Sequence, residues 1–156
     1  MRTLGNLIWL LVGGLTMSLV WMLVSILALV SIVGIPWARA CWTISDFAFT
    51  PFGKEIISRR DLTLKRDIGT SVLGSVSNTI WFIFAGFWLA LGHALSGALC
   101  CVTIIGIPFG IQHFKLAGLA IAPIGKTIAS NELAHAAREA NAKSALAQLR
   151  SDAEPS

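Results

Sequence analysis

Charge is what this sequence has least of. Only 13% of its 156 residues are Asp, Glu, Lys or Arg, against 55% apolar residues and a mean hydropathy of +0.74. Such a balance excludes an ordinary soluble domain, because too few polar side chains remain to cover the apolar ones. Residues 3–38 and 68–114 hold no charged side chain at all, and the second stretch is relieved mainly by His93 and His113. Each run exceeds the roughly 20 residues that cross a bilayer core, so the expected solvent is lipid.

The signatures of chemistry are also missing. Cys41, Cys100 and Cys101 have no Cys-x-x-Cys spacing and read as small apolar side chains. His93 and His113 show no ligand spacing, and His135 reads as a solvated residue. There is no Gly-x-Gly-x-x-Gly, P-loop or nucleophile elbow, so neither an enzyme nor a metal or cofactor site is expected. The net charge of +4 comes from cations interleaved with Glu55, Asp61 and Asp67, which dilutes a polyanion footprint. Contact with lipid headgroups explains these cations better than nucleic acid does.

What the chain does carry is a repeat. Shifted by 72 residues, segment 6–58 matches 78–130 without a gap, with 18 of 53 pairs identical. The identities include Asn6 with Asn78, Trp9 with Trp81, Gly14 with Gly86, Gly34-Ile35-Pro36 with Gly106-Ile107-Pro108, Pro51 with Pro123 and Gly53-Lys54 with Gly125-Lys126. Similarity between two greasy segments would pair Leu with Ile; it would not align Asn, Trp, Gly, Pro and Lys. The internal copy also argues against a secretory signal at the N-terminus, despite Arg2 and the small residues at 38–40, since an h-region is only about 7–15 residues long.

Each unit reads as a long apolar helix, a Gly-Ile-Pro turn and a shorter, more polar helix. Pro36 and Pro108 suit a first helical turn, while Pro51 with Gly53 and Pro123 with Gly125 close the second helix. If each unit is a hairpin, ten of the twelve Lys and Arg fall on one side and the Gly-Ile-Pro turns carry none. The positive-inside rule then places both termini in the cytoplasm. The expected fold is an all-α integral membrane protein of two tandem hairpins with membrane segments near 6–33, 37–53, 78–105 and 109–125. An even number of crossings per unit makes the copies parallel. The second and fourth segments are short, at about 17 residues, and are candidates for re-entrant or interfacial helices. The divisions are a first repeat at 1–58, a charged cytoplasmic connection at 59–77, a second repeat at 78–130, a cytoplasmic helix at 131–150 and a frayed tail at 151–156.

Packing and polar sites follow from the same segments. Gly14 and Ser18 in the first long helix, and Gly86, Ala90, Ala94 and Ala98 in the third segment, form small-residue ridges for close helix contact. Four segments enclose little interior, so a homo-oligomer is expected beside the lipid bilayer itself. Asp46, Arg39, His113 and Lys115 are ionisable groups within or beside membrane segments and mark a candidate polar pathway. The plainer role for Arg39 and Lys115 is interfacial anchoring, with Trp37, Trp42 and Phe109 as an aromatic belt. Position 118 opposite Asp46 in the repeat is glycine, so a paired carboxylate site would need an oligomer.

Several motifs together are similar to one family. Met1-Arg2-Thr3-Leu4-Gly5-Asn6, Ile105-Gly106-Ile107-Pro108, Phe114-Lys115-Leu116-Ala117, Pro123-Ile124-Gly125-Lys126 and Ala136-Ala137-Arg138-Glu139-Ala140-Asn141-Ala142 resemble the YccF family of small bacterial inner-membrane proteins, over about 1–145. The resemblance implies an inner-membrane location and a paired repeat. It carries no catalytic residues. The function that fits best is an oligomeric channel or transporter for ions or small solutes; the alternative is a non-transporting accessory or scaffold subunit that docks a partner through 131–150.

Overall fold

The computed structural model describes residues 2–32 and 34–153. Its helices are α1 (Arg2–Val30), α2 (Ile35–Phe49), α3 (Arg59–Thr63), α4 (Val72–Cys101), α5 (Ile107–Ile121) and α6 (Asn131–Ala153). Two strands, β1 (Lys54–Ser58) and β2 (Lys126–Ser130), lie outside the all-α expectation and pair antiparallel with Ile56 opposite Ile128. The helix expected at 131–150 runs on through 151–153, so this part of the tail is helical. Residues 154–156, Met1 and Val33 lie outside the described residues.

The repeat survives as duplicated geometry. Among the described residues, α1 and α4 are the two helices long and apolar enough to cross a membrane; α4 contains a π-bulge at Phe82–Gly86, and α1 is kinked at the matching Leu10–Gly14. A π-bulge displaces the helix ladder and bends its axis. Gly13 in the first copy adopts φ 145°, a conformation that glycine alone takes without strain. The repeated tryptophans lie against these bends: a Cβ on Gly14 would overlap the Trp9 indole, and one on Gly86 the Trp81 indole. Trp9 Nε1 donates to the Ala48 carbonyl at 2.6 Å, and Trp81 Nε1 to Ala120 at 2.7 Å. Asn6 clasps both backbone groups of Phe52, and Asn78 both groups of Ile124, at 2.9–3.1 Å. The identical Asn and Trp therefore tie each long helix to the end of its own short helix.

Within a hairpin, small residues let the helices approach. Ser18 bonds Ser45 and Ser25 donates to the Ala38 carbonyl between α1 and α2. Between α4 and α5 the same level is filled by Gly97 against Gly110, where a Cβ on Gly97 would stand 3.1 Å from the Gly110 oxygen. Of the ridge expected on α4, Gly86 is buried, Ala90 and Ala94 are half-buried, and Ala98 is exposed. The close approaches of α4 to α5 are therefore at Gly86, where a Cβ would stand 2.8 Å from the Ala120 oxygen, and at Gly97, one position from the anticipated stripe.

The hairpins themselves are antiparallel. Phe52, just past α2, stacks edge-on to Phe109 at the start of α5, with ring centroids 5.5 Å apart. Trp37, near the start of α2, donates to the Ser77 carbonyl of α4, and Ile35 and Pro36 share a cavity wall with Ile124 and Gly125 just past α5. The start of each short helix thus lies beside the end of the other.

Layers stack along the local two-fold axis of the repeat. His113 and Lys115, two residues apart on α5, point nearly opposite ways at about 100° per residue. His113 meets His93 of α4, whereas Lys115 meets Lys54 and Glu55 of β1, so α5 is sandwiched between α4 and the ribbon. The ribbon alternates faces as a strand must. Ile56 and Ile128 pack on the main core of Trp9, Trp21, Ile44, Phe47, Leu116 and Leu119, while Ile57 and Ala129 pack on Ala134 of α6. The order is α6, ribbon, α2 with α5, then the outer arms of α1 and α4.

Candidate functional site

Of the four candidate pathway residues, Asp46 and Lys115 both meet Lys54, whereas His113 and Arg39 stand apart. Asp46 is exposed and takes a 2.8 Å ion pair from Lys54. Lys115 is half-buried, donates to the Lys54 carbonyl at 3.2 Å and faces Glu55 at 3.8 Å. His113 turns the other way, its Nδ1 lying 3.2 Å from that of His93. Arg39 is exposed, forms no ion pair among the described residues, and borders a cavity of about 480 Å³ with Arg59, Asp67 and Leu73.

The histidine pair is a contact that spacing did not reveal, since residues twenty apart meet only because α4 and α5 form a hairpin. Two N–H groups cannot face each other, so one ring donates and the other accepts. The pair sits at the repeat positions of Trp21 and Cys41, beside the Trp9 ring. It gains no third ligand, because no group of three or more His, Cys, Asp or Glu forms among the described residues. The three cysteines are free. The aromatic belt is also redistributed: Phe109 packs in the core under Trp9, Trp37 bonds Ser77, and Trp42 remains exposed.

Ions instead gather around the ribbon. Glu55 on β1 faces both Lys115 of α5 and Arg138 of α6, joining three layers. Arg2 pairs with Glu132 at the head of α6, and its guanidinium holds that carboxyl below its usual range. Arg59 pairs with Asp67 and donates to the Lys126 carbonyl, fastening the connection between repeats to β2. The Arg59 guanidinium, with help from Thr70, holds the Asp67 carboxyl at about 2. Asp67 and Thr70 close a capping box, and Asn141 of α6 donates to the Asp61 carbonyl at 2.8 Å. Exposed pairs of this kind add little to stability because water and salt screen them, so their significance is positional.

Two helical hairpins wrapped in exposed Leu, Ile and Phe, with the ion pairs collected on one polar deck, define a membrane-embedded protein. Residues 4–54 and 76–126 each match the YccF family, described as an inner membrane component domain, and the chain belongs to that family. It is 41% identical over 147 residues to "Inner membrane protein YccF" of Escherichia coli (strain K12), covering 92% of this chain and 97% of that protein. It is similar to the same degree to "Inner membrane protein YccF" of Shigella flexneri. No solved structure matches the chain.

Proposed function

We propose that the chain is a non-transporting membrane platform whose polar deck, the ribbon and α6, faces the cytoplasm and docks a partner protein. The observation that carries this reading is the contrast between candidate pathway residues that already have partners within the fold and an α6 that is almost wholly exposed. Asp46, Lys115 and His113 each have a partner inside the fold, whereas α6 extends 23 residues with only Ala134 buried. A helix with such a thin apolar contact does not hold itself by packing alone and leaves most of its surface free for another molecule. Ten cations, Arg2, Lys54, Arg59, Arg60, Lys65, Arg66, Lys126, Arg138, Lys143 and Arg150, belong to this deck and its flanks, which supports a cytoplasmic orientation for it and for both termini.

The oligomeric channel anticipated from the repeat would have to assemble its path from several copies, with Asp46 released from Lys54. Purified protein in liposomes distinguishes the two readings. Ion and small-solute flux is expected to equal that of empty liposomes. Flux above that level that falls with Asp46→Asn or Arg39→Ala would establish the channel and remove the platform reading.

A further inference from the structure

We propose that the two hairpins lie within a single leaflet, the one on the side of the deck, and do not cross the bilayer. The proposal rests on the cytoplasmic placement of the deck, though not on the absence of transport.

The antiparallel hairpins decide the matter. If α2 and α5 stood upright, the Gly34 turn would emerge on one side and the Gly106 turn on the other. The ribbon, which lies along the flank of α5 at Lys115, would then sit at mid-membrane with α6 stacked over it. Lys54, Glu55, Lys126 and Arg138 would all be in hydrocarbon. Membranes do not accept such a cluster on a lipid-facing layer. Laid flat, the same layers run from water into lipid in the right order: charged α6 and ribbon, then α2 and α5, then the outer arms of α1 and α4. Those arms, Leu15–Val30 and Phe87–Cys101, have no charged residue and expose Leu19, Leu23, Ile26, Leu91, Leu95 and Leu99.

Dimensions agree. Two helix layers about 10 Å apart occupy about 20 Å, which is half of a bilayer about 40–45 Å thick with its headgroups. The 16-residue arm of α1 would reach only about 24 Å if upright, against a core of about 30 Å. The kink and the bulge supply the bend by which the first part of each long helix climbs back to the deck, where Arg2 meets Glu132.

The turns complete the argument. A turn emerging in water beyond the bilayer would be expected to expose polar groups. These expose Ile32, Ile104 and Ile105, at 76%, 87% and 84%. Their backbone is capped from within: Ser31 Oγ accepts from the Gly34 N–H and donates to Ala28, and Thr103 does the same for Gly106 and Cys100. With these caps in place, the described turn residues present mainly apolar side chains outward. The partner of this surface is therefore the acyl region of one leaflet.

Impermeant maleimide labelling of the full chain in spheroplasts and in inside-out vesicles tests this. Cysteines are placed at Ile32→Cys and Ile104→Cys, with Ser151→Cys on α6 as the exposed control and the natural chain as background. Ser151→Cys is expected to react in inside-out vesicles only, and the two turn variants to react on neither side until detergent is added. Reaction of either turn variant in spheroplasts overturns the one-leaflet placement while leaving the platform reading intact, since that reading fails by flux. Reaction of a turn in intact inside-out vesicles overturns it as well. A nitroxide at position 104 in proteoliposomes gives a second readout, expected near the bilayer midplane; a position at the far headgroups overturns the proposal.

Discussion

Replacing Asn78 by Ala tests the claim that the repeat is preserved because each long helix must be clasped to the end of its short partner. Asn78 Nδ2 donates to the Ile124 carbonyl at 3.0 Å, and Oδ1 accepts from the Ile124 N–H at 3.0 Å. The substitution leaves both backbone groups unpartnered in a half-buried position. At about 1–3 kcal/mol for each orphaned group, discounted for partial exposure, the cost is about 2–4 kcal/mol. Asn6 makes the same pair of bonds with Phe52, so Asn6→Ala is expected to cost the same within about 1 kcal/mol, and the double variant to be close to additive because no partner is shared. Asn78→Asp keeps the acceptor and loses the donor, and should fall between wild type and Ala. The assay is reversible unfolding in mixed micelles, followed by the fluorescence of the six tryptophans. If both alanine variants shift stability by less than about 0.5 kcal/mol, the clasp is ornamental and the reasoning is refuted.

Three further outcomes follow from particular contacts. Gly97→Leu should destabilise the second hairpin by about 1–3 kcal/mol, because its Cβ would press on the Gly110 carbonyl and the Phe114 ring. Gly92→Ala, with nothing within 4 Å of the new Cβ, should be neutral or gain up to about 1 kcal/mol in the same unfolding assay; similar losses at both sites would remove the close-packing argument. Asp67 has a depressed carboxyl at about 2, so its contribution is present above the unfolded value near 3.8 and is lost as pH falls through about 2. Because the side chain is 37% exposed, solvent screening limits that contribution to about 1 kcal/mol, and Asp67→Asn should reduce stability at pH 7 while flattening the profile between about pH 4 and 2. An unchanged acid profile would show that the Arg59 pair contributes nothing.

The legible parts of this fold were those written in local pattern. Pro36 and Pro108 do sit in first helical turns, and Gly53 and Gly125 adopt φ 90° and 89° as the closing glycines of each unit. Trp9, Trp81, Asn6 and Asn78 were recognisable as repeat identities, although their bonding partners were not. The strands escaped notice because Lys-Glu-Ile-Ile-Ser and Lys-Thr-Ile-Ala-Ser are five residues each, too short for alternation to outweigh the helical pattern around them. The separate surroundings of His113 and Lys115 were hidden for a related reason. Position along a membrane segment gives approximate depth, while the direction of a side chain depends on which neighbour the helix face meets. His113 and Lys115 show this most directly, lying two residues apart and serving opposite layers.

The amino-acid sequence by itself determined the solvent, the duplication, the hairpin turns and the gathering of cations, because each follows from composition or spacing over a few tens of residues. Only the tertiary structure decided that the two hairpins oppose each other. Their relation is set by pairing Lys54–Ser58 with Lys126–Ser130, backbone hydrogen bonds between residues far apart in the chain that the alternation of side chains does not encode. That pairing places the deck on the flank of the short helices. It is a relation between distant segments that no hydropathy profile carries.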